Sequence, residues 1–171
     1  IRPFGTSIYA NDLTVKCIKE LSTREFFKEL KFHIIGRGKL FNPLMNELKE
    51  YDNVIFENKF LRQYEIAELH KKNGIFMVPT RLDSQGVSRD EAMSSGLVPI
   101  TNNVAAIPEF VDNTCGMLAP ADDYVKMADD IERLYNDSEL FKNMSEAAAE
   151  RVRRQSSRAY TIDKEIYLIN K

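Results

Sequence analysis

The sequence predicts an α/β fold: a Rossmann-like parallel sheet with helices on both faces. Three observations lead there. Apolar runs of four to seven residues recur along the chain, as in "KFHIIG" (31–36), "NVIFEN" (53–58) and "GIFMVPT" (74–80). Segments with helical spacing of apolar residues separate them. Glycines and prolines mark the changeovers, and strands alternating with helices imply βαβ units rather than an antiparallel meander.

The elements follow in order. Leu13, Cys17, Ile18 and Leu21 form one helical face. Ser22 and Glu25 have capping-box spacing, which predicts a second short helix carrying Phe26, Phe27 and Leu30. The strand 31–36 ends at glycine. Asn42-Pro43 marks a helix start, with Leu44, Met45 and Leu48 continuing its face. Strand 53–58 precedes a helix over 62–72, anchored by Ile66, Ala67 and Leu69. After the strand 74–80, residues 88–95 form a short helix closed by Gly96. "VPIT" (98–101) and "GMLAP" (116–120) are the remaining strands. Residues 122–136 and 138–155 are amphipathic helices, and 160–170 continues as a helical segment. Ile1-Arg2-Pro3-Phe4 has the character of a strand end already under way, and the expectation is a single domain cut from a longer protein.

Composition narrows the function. The 171 residues are 43% hydrophobic and 29% charged, enough for one core. A net charge of -2 provides no global basic field for nucleic acid. No apolar run approaches the roughly 20 residues of a membrane helix. Two cysteines (Cys17, Cys115) and two histidines (His33, His70) lack metal-ligand spacing, so no metal is expected. Two free thiols fit a cytoplasmic protein. The basic run "RVRRQSSR" (151–158) fits a solvated helix face, with peripheral membrane contact as the alternative.

The candidate site is "PTRLDSQGVSRDEAMSSG" (79–96). In parallel sheets, ligands sit beyond the carboxyl ends of the strands, and this stretch leaves one such end. A helix start offers unpaired amides and the positive end of a dipole. Gly86 and Val87 precede Ser88, and a glycine there lets an anion such as a diphosphate approach the backbone. Asp83 and Glu91 flank that turn. A carboxylate repels phosphate, so each should face neutral hydroxyls. Local alternatives stand beside these roles. Ser88 and Glu91 also have capping-box spacing, and Asp83 also fits a turn aspartate bonding its own backbone. Gly36-Arg37-Gly38 fails as a dinucleotide fingerprint, because the third glycine is missing and the helix starts later. It remains an active-face loop. "NNVAAIPEFVDN" (102–113) predicts a tight approach followed by a short helix.

Taken together, "VPTRLDSQGVSRDEAMSSGLVPITNNVAAIPEFVDNTCGMLAPAD" resembles the donor-binding core of family 4 (group 1) glycosyltransferases, with "FHIIGRGKL" and "NVIFENKFLRQYEIAELH" matching upstream segments. The resemblance covers most of residues 31–137. It implies one half of a GT-B fold: residues 1–171 as the C-terminal nucleotide-sugar-binding domain, 138–171 as terminal helices, and an N-terminal acceptor domain outside this chain. It implies a retaining hexosyltransferase acting in glycan or polysaccharide biosynthesis. The donor would be a nucleoside-diphosphate sugar and the acceptor a glycan or lipid-linked hydroxyl. No cofactor is implied, and the work would be done in the cytoplasm at the inner membrane face.

By position, Glu91 matches the acid that holds ribose hydroxyls and Asp83 the acid that contacts the donor sugar; these are the catalytic pair. Gly86, Val87 and Ser88 match the segment meeting sugar and phosphates. Gly36 matches the first strand-end loop, Phe60 the loop that touches the base, and Arg2 an arginine near the diphosphate. The chain departs from the family pattern in three places. Asp83 replaces glutamate and Gln85 replaces an aromatic residue. The lysine expected about eight positions beyond Arg2 is missing, with Ala10 near that point. Arg37, Lys39, Arg81 and Arg89 are candidate substitutes for its charge. Two other readings remain open: a GT-B epimerase or phosphorylase, and a non-catalytic α/β module that binds partners through 138–171.

Overall fold

The computed structural model describes residues 1–171. Five short parallel strands alternate with eight α-helices: α1 (Asn11–Leu21), β1 (Phe32–Gly36), α2 (Phe41–Asn46), β2 (Val54–Asn58), α3 (Gln63–His70), β3 (Ile75–Met77), α4 (Val87–Ser94), β4 (Val98–Asn102), α5 (Ile107–Phe110), β5 (Met117–Ala119), α6 (Tyr124–Asn136), α7 (Ser138–Ser156) and α8 (Arg158–Ile169). β4 is buried along its whole length, as a central parallel strand covered on both faces must be. One core joins Val15, Ile18 and Leu21 of α1 and Met127, Ile131 and Leu134 of α6 to Val98, Ile100 and Met117. A second joins Met93 of α4 and Ala148 of α7 to Val111 and Cys115. Helices therefore cover both faces, as expected. Both cysteines are buried and free, and burial pushes the Cys17 thiol up to about 12.

The sheet is in two pieces. β1 pairs with β2, from Phe32↔Val54 to Gly36↔Asn58. Separately, β4 lies between β3 and β5, with Ile75↔Val98 and Ile100↔Met117 in register. Residues 1–4 run parallel to the end of β1: Arg2 N–H donates to the Ile35 carbonyl at 3.1 Å and Phe4 N–H to Arg37 at 2.9 Å. This bears on the strand-end reading of 1–4: the segment does continue a ladder, but only along the last part of β1. Behind it, a cavity of about 480 Å³ separates the facing edges of β1 and β3, lined by Ile1, Phe32, Ile34, Ile75 and Met77 among others.

Two predicted starts shift. No Ser22–Glu25 capping box forms, because the Ser22 hydroxyl donates to the Lys19 carbonyl at 2.6 Å. The segment 25–29 is a 3₁₀ turn without a side-chain cap. α2 begins at Phe41, earlier than the Asn42-Pro43 signal, with Pro43 inside its first turn. The terminal helix is real, and its exposed side includes Ile166, Tyr167, Leu168 and Ile169. No helix is long and apolar enough to cross a membrane.

Candidate functional site at the carboxyl ends of the strands

The loops leaving β1, β3 and β4 meet at one edge of the sheet. The β3 loop is fastened at its root. Thr80 N–H donates to Asn102 Oδ1 at 2.8 Å, and Asn102 Nδ2 donates back to the Thr80 carbonyl at 2.7 Å. Both residues are fully buried, where an unmet polar group would be costly. The Thr80 hydroxyl and the Arg81 N–H both donate to the Ile8 carbonyl, at 3.2 and 2.8 Å, which joins this loop to the turn 7–9.

Gly86 then begins α4. Its φ of +78° lies in the left-handed region, and it is the N-cap, with no side chain capping the helix. The sequence placed this start two residues later, with Ser88 as cap and Glu91 closing a box. The structure contains no such box. The reason is backbone geometry: glycine takes the left-handed conformation without cost, so the turn tightens at Gly86 and Ser88 is already helical. The first amides of α4 have no side-chain partner. Glu91 is therefore not spent on capping. Half-buried, it accepts from Gln63 Nε2 at 2.8 Å, and Gln63 opens α3 just after the exposed Phe60 loop.

Asp83 is half-buried; its carbonyl accepts from Ala106 N–H at 3.4 Å, and its charge acts on those of Arg2 and Asp90. Arg2 is buried, donates from Nη2 to the Pro79 carbonyl at 3.3 Å, and stands over the Tyr9 ring at 5.2 Å. Its Nε has no partner, and burial lowers its pKa from the ordinary arginine range. Gly36 is enclosed: a Cβ there would lie 2.0 Å from the Arg2 carbonyl oxygen. Val87 is exposed and Ser88 half-buried at the mouth of the turn. Arg2 and Asp83 thus act on each other's charge, Gly36 packs on Arg2, and Gly86–Ser88 follow Asp83 along the chain, whereas Glu91 faces Gln63, three residues beyond Phe60. The loop after β4 carries Ala105 at φ +47° and the short helix α5, as the sequence predicts.

The cations sort themselves by burial. Arg81 is held by Asp12 through two 2.8 Å bonds and by Asp122 at 3.0 Å, which raise its pKa. Arg89 is fully buried, not at the surface. Arg37 and Lys39 are exposed on the loop after β1. Sequence reasoning missed the Gln63–Glu91 bond, the Thr80–Asn102 lock and the burial of Arg89. For Thr80 and Asn102 the advance signal was a polar residue at the end of an otherwise apolar run; Gln63 and Arg89 gave none.

The family profile described as Glycosyl transferases group 1 matches residues 6–137. N-acetyl-alpha-D-glucosaminyl L-malate synthase of Bacillus anthracis is 30% identical over 131 residues, covering 74% of this chain and 34% of that protein. The chain thus spans about a third of that relative's length. Among solved structures, S. aureus TarM in complex with fondaparinux, alpha-GlcNAc-glycerol and UDP superposes with a TM-score of 0.82 at 20% identity, covering 97% of this chain and 34% of that one. The C-terminal domain of a group 1 glycosyl transferase (LpcC) from Francisella tularensis superposes at 0.78, with 20% identity over 91% of this chain and 85% of that domain. The fold is the Rossmann-like half of a GT-B glycosyltransferase, and the chain belongs to the group 1 glycosyl transferases.

Proposed function

We propose that this chain is the nucleotide-sugar-binding domain of a retaining hexosyltransferase, moving a sugar from a nucleoside-diphosphate donor to the hydroxyl of a glycan or lipid-linked acceptor. The observation that carries the reading is the Gly86 turn: an eight-residue helix whose leading amides are uncapped, at the carboxyl end of a parallel sheet, with Asp83 and Glu91 beside it. Those amides and the helix dipole meet the departing diphosphate as the bond to the anomeric carbon breaks. Arg2, and Arg37 or Lys39 from the β1 loop, add positive charge. Glu91 holds the ribose hydroxyls, Asp83 the sugar, and Phe60 the base. UDP bound to TarM supports a uridine nucleotide as the donor class. The acceptor site belongs to a preceding domain of the same protein, against which the apolar side of α8 packs. The enzyme works in the cytoplasm, with peripheral contact at the inner membrane face. A non-catalytic partner-binding module is the second reading, favoured by the same exposed side of α8.

Calorimetric titration with UDP and GDP separates the two, since a binding module gives no saturable response. Glu91→Ala is expected to weaken nucleotide binding by about 1–3 kcal/mol. Its melting temperature should stay close to that of the parent, because Glu91 caps nothing and its partner is an exposed glutamine. Unchanged affinity would remove Glu91 from the ribose. The 171-residue polypeptide alone is expected to bind nucleotide weakly and transfer no sugar, as read by acceptor mass change. Turnover by it alone would refute the assignment of the acceptor site to another domain.

A further inference from the structure

Arg89 has no place in the reading above, yet it is one of the most deeply enclosed side chains in the protein. Its guanidinium donates from Nη2 to the Gln85 carbonyl, within the turn. Nε and Nη2 also donate to Asp90 Oδ1, at 3.1 and 2.7 Å. The guanidinium carbon stands 4.9 Å over the Phe110 ring of α5. A Cβ added at Gly86 would meet Arg89 Nη1 at 2.9 Å, so the guanidinium packs directly against the glycine's α-carbon. One side chain thus touches the turn, the first helical turn of α4 and the loop after β4.

A buried ion pair is poor evidence for stability alone, because desolvation offsets its attraction. This one is also incompletely satisfied: Arg89 Nη1 and Asp90 Oδ2 are buried without partners. A pair serving only stability gains nothing from those two orphaned atoms. Its contacts supply geometry instead: Asp90 fixes the guanidinium through Nε and Nη2, and Nη2 holds the Gln85 carbonyl and, through it, the direction in which the Gly86–Ser88 amides point.

We infer that Arg89 is a positioning residue for the donor turn, holding Gln85 and Gly86 from behind while never touching the ligand itself. The inference rests on the donor reading of that turn. It also explains why glycine is required at 86 on two counts: the positive φ, and the guanidinium lying against it.

The test uses the full-length protein and two readouts. Arg89→Met/Asp90→Asn removes both buried charges and keeps comparable volume. Amide hydrogen exchange over 89–94, where Arg89 and Asp90 N–H donate to the Gly86 carbonyl at 2.9 and 3.1 Å, should accelerate without ligand by roughly tenfold or more while β4 amides keep their protection. UDP or GDP affinity should fall by roughly 10- to 100-fold. Unchanged exchange and affinity in the double variant would overturn the inference. If the double variant does not fold, Arg89→Lys decides. Lysine keeps the charge beside Asp90 but lacks the fork, so accelerated exchange over 89–94 supports the inference and parental exchange overturns it. If the parent protein binds neither nucleotide, the donor reading fails, and the exchange result still decides what Arg89 does.

Discussion

Gly36→Ala is expected to destabilise the protein by on the order of 3 kcal/mol or more, lowering the melting temperature by about 10 °C. The added methyl would stand 2.0 Å from the Arg2 carbonyl oxygen and 2.7 Å from two carbons of the Phe4 ring. The first is backbone, so no rotamer change relieves it. The ring is also confined, packed edge-on against Phe41 with centroids 4.9 Å apart. The segment 1–4 must therefore lift away from β1, breaking the bonds from Arg2 N–H and Phe4 N–H. Arg2 would move with it, so nucleotide affinity should fall alongside stability. Circular dichroism melting and calorimetry on one preparation check both. A parental melting temperature would show that Gly36 tolerates a methyl group and that segment 1–4 does not hold β1 this closely.

The second effect is on acid stability. His70 is buried, with Nδ1 3.2 Å from Ser95 Oγ and its ring edge-on to Phe76 at 6.0 Å. Burial lowers its pKa below the ordinary 6.5, while Glu91 pulls it the other way. Unfolding lets the imidazole bind a proton near pH 6.5, whereas the folded chain resists to lower pH. Below that point the unfolded state binds more protons, so stability falls as pH drops from about 7 toward 5. Urea unfolding at pH 8, 6.5 and 5 measures the slope. His70→Gln should flatten it, and an equal slope in that variant would place the acid dependence elsewhere.

The strands were legible because each is a short apolar run ending in a turn residue. β4, "VPITN", shows this best, with all five residues buried. The place of the Gly86 turn was legible too, since a glycine after an apolar run marks where the chain leaves the strand end. The start of α4 was misread because Ser88 and Glu91 satisfy a spacing rule, whereas the left-handed backbone at Gly86 settles the matter two residues earlier. Arg89 reads in the sequence as a candidate for the missing lysine's charge, because most arginines reach the surface. Nothing local to "VSRD" reveals that Phe110, distant in sequence, provides a ring for it. The split of the sheet was equally hidden, because the pairing of 1–4 with β1 is a contact across more than thirty residues.

The paired bonds between Thr80 and the Asn102 carboxamide have a mechanical consequence. The amide side chain offers the N–H and C=O that one more strand residue would offer, so it extends the β3–β4 ladder past the end of the strands. The loops departing from those two tips must then travel as one rigid jaw. Relative movement at this edge of the sheet then falls to the opposite jaw, the 59–62 loop, where Phe60 is 82% exposed and the Gln63–Glu91 bond joins α3 to α4.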